Sequence, residues 1–146
     1  MRLIHLVDNS VLQRVHRSPD VAQALVALLE HGDLGACLPQ LLEEGCSARG
    51  ADEHAALMRA SRVAKVFLPP DERVAGIAVD MQARLFAQGI GRSVGVSDLQ
   101  IAATAIRHTS VDQRVVVVHY DADFENIARV WPEFLHRWIV PRGTVD

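Results

Sequence analysis

The chain has little cysteine, a single lysine and few aromatic residues, and each scarcity narrows what it can be. Two cysteines in 146 residues, Cys37 and Cys46, do not make a disulfide framework. Cys37 closes a predicted short strand and Cys46 lies in the helix that follows, so both are expected as buried thiols in a reducing cytosol. Zinc would require further ligands at the right spacing, and none accompanies them. No apolar run approaches the ~20 residues that span a bilayer. Met1 to Val7 is apolar, but His5 interrupts it and Asp8 stops it. It lacks the length and the small-residue cleavage site of a secretory signal, so a cytoplasmic protein is expected. Lys65 stands alone against fourteen arginines, and the net charge is −3. Nucleic-acid binders usually carry a basic surface, so such a partner would need metal ions and a few arginines to neutralise phosphate locally.

What is present is an ordinary globular balance. Hydrophobic residues make up 49 % and charged residues 23 %, which leaves no room for a disordered or low-complexity reading. The length suits one domain spanning residues 1–146. Leu3 to Val7 is a nearly unbroken apolar run, as in a strand buried on both faces of a parallel sheet. Pro19 to Glu30 reads as a helix with Val21, Leu25, Leu28 and Leu29 on one face. Leu34 to Leu38 is a second strand, and Pro39 opens a helix through Ser47. Glu53 to Ala64 is helical with Ala56, Leu57 and Ala60 inward, and Lys65 to Leu68 is a third strand, stopped by Pro69-Pro70. Asp71 to Ala87 is the longest helical pattern and ends at Gly89. A loop then leads to a helix from Ser97. Four consecutive valines, Val115 to Val118, make the clearest strand, followed by a short helix from Asp123 to Val130 and a strand from Trp138 to Val140. Strands and helices alternate without repeats, which predicts an α/β fold with a mainly parallel sheet of about five strands.

In such a sheet ligands bind beyond the carboxyl ends of the strands, near the point where strand order reverses. Asp8 follows the first strand directly, and Asp121 follows Val118 after His119 and Tyr120. If the two strands are neighbours, both carboxylates face one crevice. Ser97-Asp98-Leu99-Gln100 has the form of a capping box, with Ser97 as N-cap. That places Asp98 in the first turn, where the helix dipole favours its ionised form. An ordinary cap-supporting aspartate is the competing interpretation. A fourth acid, Glu43 or Glu44, lies in the Pro39 helix, and periodicity does not choose between them. Clustered carboxylates repel one another unless a cation neutralises them, and an all-oxygen set points to Mg²⁺ or Mn²⁺ rather than zinc.

Several segments carry a family resemblance. Leu6-Val7-Asp8-Asn9-Ser10 resembles the opening D-x-S motif of PIN-domain ribonucleases, especially the VapC-type toxins of bacterial toxin–antitoxin pairs. Leu42 to Arg49 resembles their second motif, a glutamate four residues before Ser-Ala-Arg. Val96 to Ala105 resembles the third, an aspartate preceding Ile-Ala-Ala. His119 to Ala128 is similar to the fourth, and Trp138 to Gly143 resembles a tail common in the VapC group. The motifs follow the family's order and span nearly the whole chain.

The resemblance implies a three-layer α/β/α sandwich with Asp8, Glu43, Asp98 and Asp121 as the metal and catalytic residues. Ser47-Ala48-Arg49 fixes the register and so selects Glu43. Asp123 is implied as an auxiliary ligand, with an N-cap role as its alternative. Ser10 either bonds a cluster carboxylate or a metal-bound water, or starts the helix after the first strand, and both roles are compatible. His119 stands where the family often has threonine, and is either an acid or phosphate contact or a packing residue. His5, within a strand, is read as a core histidine. Arg14, Arg49 and Arg92 are candidate phosphate contacts. The implied chemistry is hydrolysis of an RNA phosphodiester by a metal-activated water, without a covalent intermediate. The implied partners are a VapB antitoxin and a second copy of the chain, with no membrane. Three rivals are a receiver-like signalling domain, a non-catalytic relative with a degenerate site, and a DNA nuclease of the same fold. The first needs a lysine after its fifth strand, whereas Lys65 begins the third. The second needs lost acids, and all four are present.

Overall fold

In a computed structural model that describes all residues, Met1–Asp146, the chain forms one five-stranded parallel sheet. Its strands are β1 (Arg2–Val7), β2 (Asp33–Cys37), β3 (Val66–Leu68), β4 (Gln113–His119) and β5 (His136–Trp138), in the spatial order β3-β2-β1-β4-β5. The first strand is therefore central, paired with β2 on one side and β4 on the other. Val7 is level with Val118, so the chain ends β1 and β4 at the same edge. Strand order reverses there, since β1 leads to β2 on one side while β4 lies on the other.

Seven helices complete the fold: α1 (Asn9–Val15), α2 (Pro19–Leu29), α3 (Leu38–Gly45), α4 (Ala51–Ala64), α5 (Glu72–Ala87), α6 (Val96–His108) and α7 (Asp123–Val130). Ile4, Leu6, Val115 and Val117 pack on Met81, Leu85, Ile101, Ala102, Ala105, Phe124 and Ile127, contributed by α5, α6 and α7. Val7 and Val118 pack instead on Val11 of α1, Val21 of α2 and Ile139. Helices thus cover both faces of the sheet, which is why its central strands read as continuous apolar runs. The buried alanines Ala102, Ala103 and Ala105 let α6 lie close to the sheet. At Gly89 φ is +75°, which ends α5 in a conformation that suits glycine.

Several details differ from the sequence expectations, among them β2, which is Asp33–Cys37 rather than Leu34–Leu38, and α3, which is Leu38–Gly45 rather than Pro39–Ser47. The last strand is His136–Trp138 rather than Trp138–Val140. As the strand at the sheet's edge it tolerates His136 and Arg137, and apolarity drew attention to the residues after it. The third strand begins at Val66, because Lys65 still caps α4 through its backbone N–H to the Ser61 carbonyl. In α4 the sides turned inward are Leu57, Met58 and Ser61, while Ala56 and Ala60 are exposed. Cys46 is exposed at the C-cap of α3, whereas Cys37 is fully buried. Burial pushes the Cys37 thiol up to about 12, so it stays protonated.

Lys65 has a structural task. Its amine meets the Glu44 carboxylate at 3.0 Å, with the two side chains only 10 % and 21 % exposed. Removing the lysine would leave a half-buried carboxylate without its partner, at a cost of about 1–3 kcal/mol. Lys65→Met is therefore expected to lower the urea midpoint, and Glu44→Gln combined with it should recover part of the loss. An unchanged midpoint in Lys65→Met would show that the pair contributes nothing.

Candidate metal centre

The edge where β1 and β4 end collects acidic side chains from four parts of the chain. Asp8 is the first residue after β1 and caps α1, its carboxylate accepting from the Ser10 amide at 3.1 Å. Its own amide donates to the Val118 carbonyl at 2.9 Å, extending the β1–β4 pairing by one residue. Ser10 adds a second tie, because its hydroxyl oxygen accepts the Tyr120 amide at 2.8 Å. Ser10 thus lies in the first turn of α1, with its amide on the Asp8 carboxylate and its hydroxyl on the backbone that follows β4.

Asp121 sits between β4 and α7. Its Oδ1 accepts the Asp123 amide at 2.9 Å, and its own amide donates to His119 Nδ1 at 3.1 Å. Asp98 enters from α6, but not through the expected capping box. The N-cap is Gly95, whose carbonyl accepts the Leu99 amide at 3.1 Å, and Val96 already has helical geometry. Gln100 donates to the Val96 carbonyl instead of reaching back to a cap. The Gly95 amide itself donates to Asp123 Oδ2 at 3.3 Å, so a residue of another helix fixes where α6 begins. Ala122, not Asp123, occupies the cap position of α7.

One carboxylate oxygen from each of Asp8, Asp98 and Asp121 lies within 4.8 Å of the other two. Glu43 falls outside that group but close enough for its charge to act on Asp8 and on Cys37. Its neighbour Glu44 is engaged by Lys65, which separates the two glutamates that periodicity could not. Burial raises the Asp8 carboxyl above its ordinary value, opposed by the Ser10 hydrogen bonds and reinforced by Glu43 and Asp121. Asp98 is pushed up to about 9, first by burial, then by its hydrogen bond with Asp123 and by the charges of Asp8, Asp121 and Asp123. The helix dipole is outweighed. Without a cation the cluster must hold protons at neutral pH.

The donor set suits a hard divalent cation. Oxygens about 2.1 Å from a common centre are separated by roughly 3–4 Å, which the three aspartates can reach with small side-chain adjustments. His119 is not free to serve as a ligand: it is wholly buried and both its ring nitrogens are engaged, with Nε2 2.8 Å from His136 Nδ1. Burial holds the His119 imidazole down to about 3, which favours its neutral form and the packing and hydrogen-bonding interpretation.

The proposed phosphate contacts fare unequally. Arg14 lies over the Tyr120 ring at 4.7 Å and donates to the Ser10 and Asp146 carbonyls, which ties it to the C-terminal segment. Arg49 is 89 % exposed and pairs with Glu53 at 3.0 Å. Arg92 is exposed in the loop before α6. A residue that sequence reading missed is Gln40, 1 % exposed, whose side chain links the Val7 carbonyl to the Cys37 amide.

A parallel sheet of order 3-2-1-4-5, with aspartates closing its two central strands and a third on an adjacent helix start, is the arrangement of a carboxylate-centred PIN fold. Ribonuclease VapC21 of Mycobacterium tuberculosis is 36 % identical over 140 residues, covering 96 % of both chains. Ribonuclease VapC51 of the same organism is 37 % identical over 149 residues, covering all of both chains. Among solved structures, VapBC2 of Rickettsia felis bound to a promoter DNA fragment superimposes with a TM-score of 0.69 at 13 % identity, covering 92 % of this chain and 98 % of that one. No family model matches the chain. The chain belongs to the VapC family of PIN-domain ribonucleases. No helix is long and apolar enough to cross a membrane.

Proposed function

We propose that the protein is an endoribonuclease toxin that hydrolyses RNA phosphodiester bonds at the edge where β1 and β4 end, with Asp8, Glu43, Asp98 and Asp121 holding Mg²⁺ or Mn²⁺. The convergence of three aspartate oxygens within 4.8 Å carries this reading. When bound, the cation would neutralise the carboxylates, acidify water and offset charge on the phosphodiester. The chain's own part is to hold those oxygens still: Ser10 steadies Asp8, the Asp123 amide steadies Asp121, and the Asp123 side chain hydrogen-bonds Asp98 and favours its protonated form. Glu43, half-buried beside Asp8, would complete the set. Arg92 is the phosphate contact least engaged within the chain.

Incubation with a mixed RNA substrate tests this directly. Cleavage is expected with Mg²⁺ or Mn²⁺, is expected to stop on adding EDTA, and should exceed cleavage of single-stranded DNA. Preference for DNA would favour the DNA nuclease, and EDTA-resistant cleavage would remove the cation from the mechanism.

A VapB-type antitoxin is proposed as the natural inhibitor, since the structural neighbour is a VapBC assembly and the crevice is acidic. An arginine from the partner would satisfy such a crevice in place of a cation. A second copy is proposed as well: Val79 and Phe86 on α5 are 68 % and 56 % exposed, and light scattering decides whether copies pair.

A further inference from the structure

The geometry points to His119 as the positioning residue for Asp121, held in the required tautomer by His136. The inference rests on Asp121 being a cation ligand, as proposed above, and adds how this chain fixes it.

His119 is the last residue of β4, and its ring is 0 % exposed. Phe124, Trp138 and His136 surround it with ring centroids at 4.8, 4.9 and 5.1 Å. Such a cage leaves the imidazole one orientation. Nδ1 accepts the Asp121 amide at 3.1 Å, which requires that nitrogen to carry no proton. The ring hydrogen must then be on Nε2, where it donates to His136 Nδ1 at 2.8 Å. His136 is fixed in turn by stacking on Phe134, with centroids 5.3 Å apart and planes 9° from parallel. The Trp138 wall is secured by its indole N–H to Glu125 at 2.9 Å. Asp121 is therefore gripped twice, at its backbone by His119 and at Oδ1 by the Asp123 amide. The remaining lone pairs of its carboxylate are left for the crevice. A carbon atom in place of Nδ1 would orphan the Asp121 amide and free the turn to rotate. Partners one step removed from a cation commonly govern its affinity by 10–100-fold.

The test compares His119→Leu, His119→Asn and Asp121→Asn by calorimetric titration with Mn²⁺ and by thermal melting of the metal-free proteins. Asparagine can place its Oδ1 close to where Nδ1 lies, whereas leucine offers no acceptor. Both substitutions forfeit the bond to His136 and leucine also orphans the Asp121 amide, so the melting curves serve to show that each variant is folded at the temperature of the titration. Mn²⁺ affinity should fall about tenfold or more in His119→Leu and stay within about threefold of the native value in His119→Asn. Equal losses in the two would reduce His119 to a packing residue. Native affinity in His119→Leu, together with loss in Asp121→Asn, would refute the positioning role alone. Native affinity in Asp121→Asn would instead refute the cation site on which the inference rests. Nitrogen-15 NMR of the unaltered protein gives an answer even if a variant fails to fold. His119 is expected to show a protonated Nε2 and an unprotonated Nδ1, and a protonated Nδ1 would overturn the inference.

Discussion

Replacing Asp98 with asparagine is expected to reduce RNA cleavage at least about a hundredfold if it is the ligand proposed above, since losing a ligand should cost no less than disturbing its outer partners. The same change should make the metal-free protein more stable at pH 8. The two effects have one cause. Asp98 is packed among Asp8, Asp121 and Asp123, and burial with those neighbours raises its carboxyl to about 9 from an ordinary 3.8. The folded state therefore keeps a proton that the unfolded chain has released. A group bound more tightly to its proton in the folded state favours folding at low pH, and that advantage disappears as pH rises toward the folded value.

Near pH 8 this term dominates the slope, and toward pH 9 Cys37 adds to it, because its buried thiol stays protonated while that of the unfolded chain ionises. His5, His119 and His136 all have lowered values, so near pH 6.5–7 the unfolded chain still binds protons at these rings and they oppose the slope, whereas by pH 8 they are neutral in both states and contribute little. Stability of the metal-free protein should then fall with pH by up to about 1 kcal/mol per unit, allowing for the partial access of water to the site. Asp98→Asn should largely flatten that slope, and millimolar Mg²⁺ should flatten it in the unaltered protein by taking the proton's place. Urea unfolding at pH 7.5, 8 and 8.5 measures all three. A native-like slope in Asp98→Asn would mean that the buried proton resides elsewhere. Undiminished cleavage by that variant would remove Asp98 from the site.

The acids differ in how far the sequence exposes them. Asp8 and Asp121 were legible because a strand buried on both faces is an apolar run, and the first charged residue beyond it must lie at the sheet's edge. That β1 and β4 are neighbours was only a condition in the sequence, and the register of Val7 with Val118 meets it. Asp98 was legible as a first-turn residue, but its cap was misassigned. The start of α6 depends on a hydrogen bond from Gly95 to Asp123, 28 residues away, which no local pattern encodes. The tie between Glu43 and Glu44 has the same origin, since Lys65 engages Glu44 across 21 residues. The alternation of strands and helices was largely readable, β2 and β3 shift by a single residue, and the strand displaced furthest lies at the sheet's edge, where polar side chains carry little penalty. What escapes a linear reading is therefore the set of polar contacts between distant segments, and these contacts orient the acids.

Gln40 is the clearest of these, and its loss is expected to be among the most destabilising single changes outside the apolar core. Its Nε2 donates to the Val7 carbonyl at 3.0 Å and its Oε1 accepts the Cys37 amide at 3.3 Å, all within an environment that leaves the residue 1 % exposed. The side chain thereby joins the end of β1 to the start of α3, the two segments that carry Asp8 and Glu43. Leucine has a similar volume but would orphan one carbonyl and one amide, at about 1–3 kcal/mol each. Gln40→Leu should therefore lose roughly 2–5 kcal/mol in urea unfolding, a large share of the 5–15 kcal/mol that holds a typical domain together. Glutamate at this position keeps the acceptor but turns a carboxylate oxygen toward the Val7 carbonyl, and it adds negative charge beside Asp8. Gln40→Glu should thus be the less stable of the two at neutral pH and should recover on acidification as the new carboxyl regains a proton. A loss below about 0.5 kcal/mol in Gln40→Leu would show that water replaces both bonds. In the fraction that remains folded, Mn²⁺ affinity should fall as well, because Asp8 and Glu43 would no longer share a common anchor.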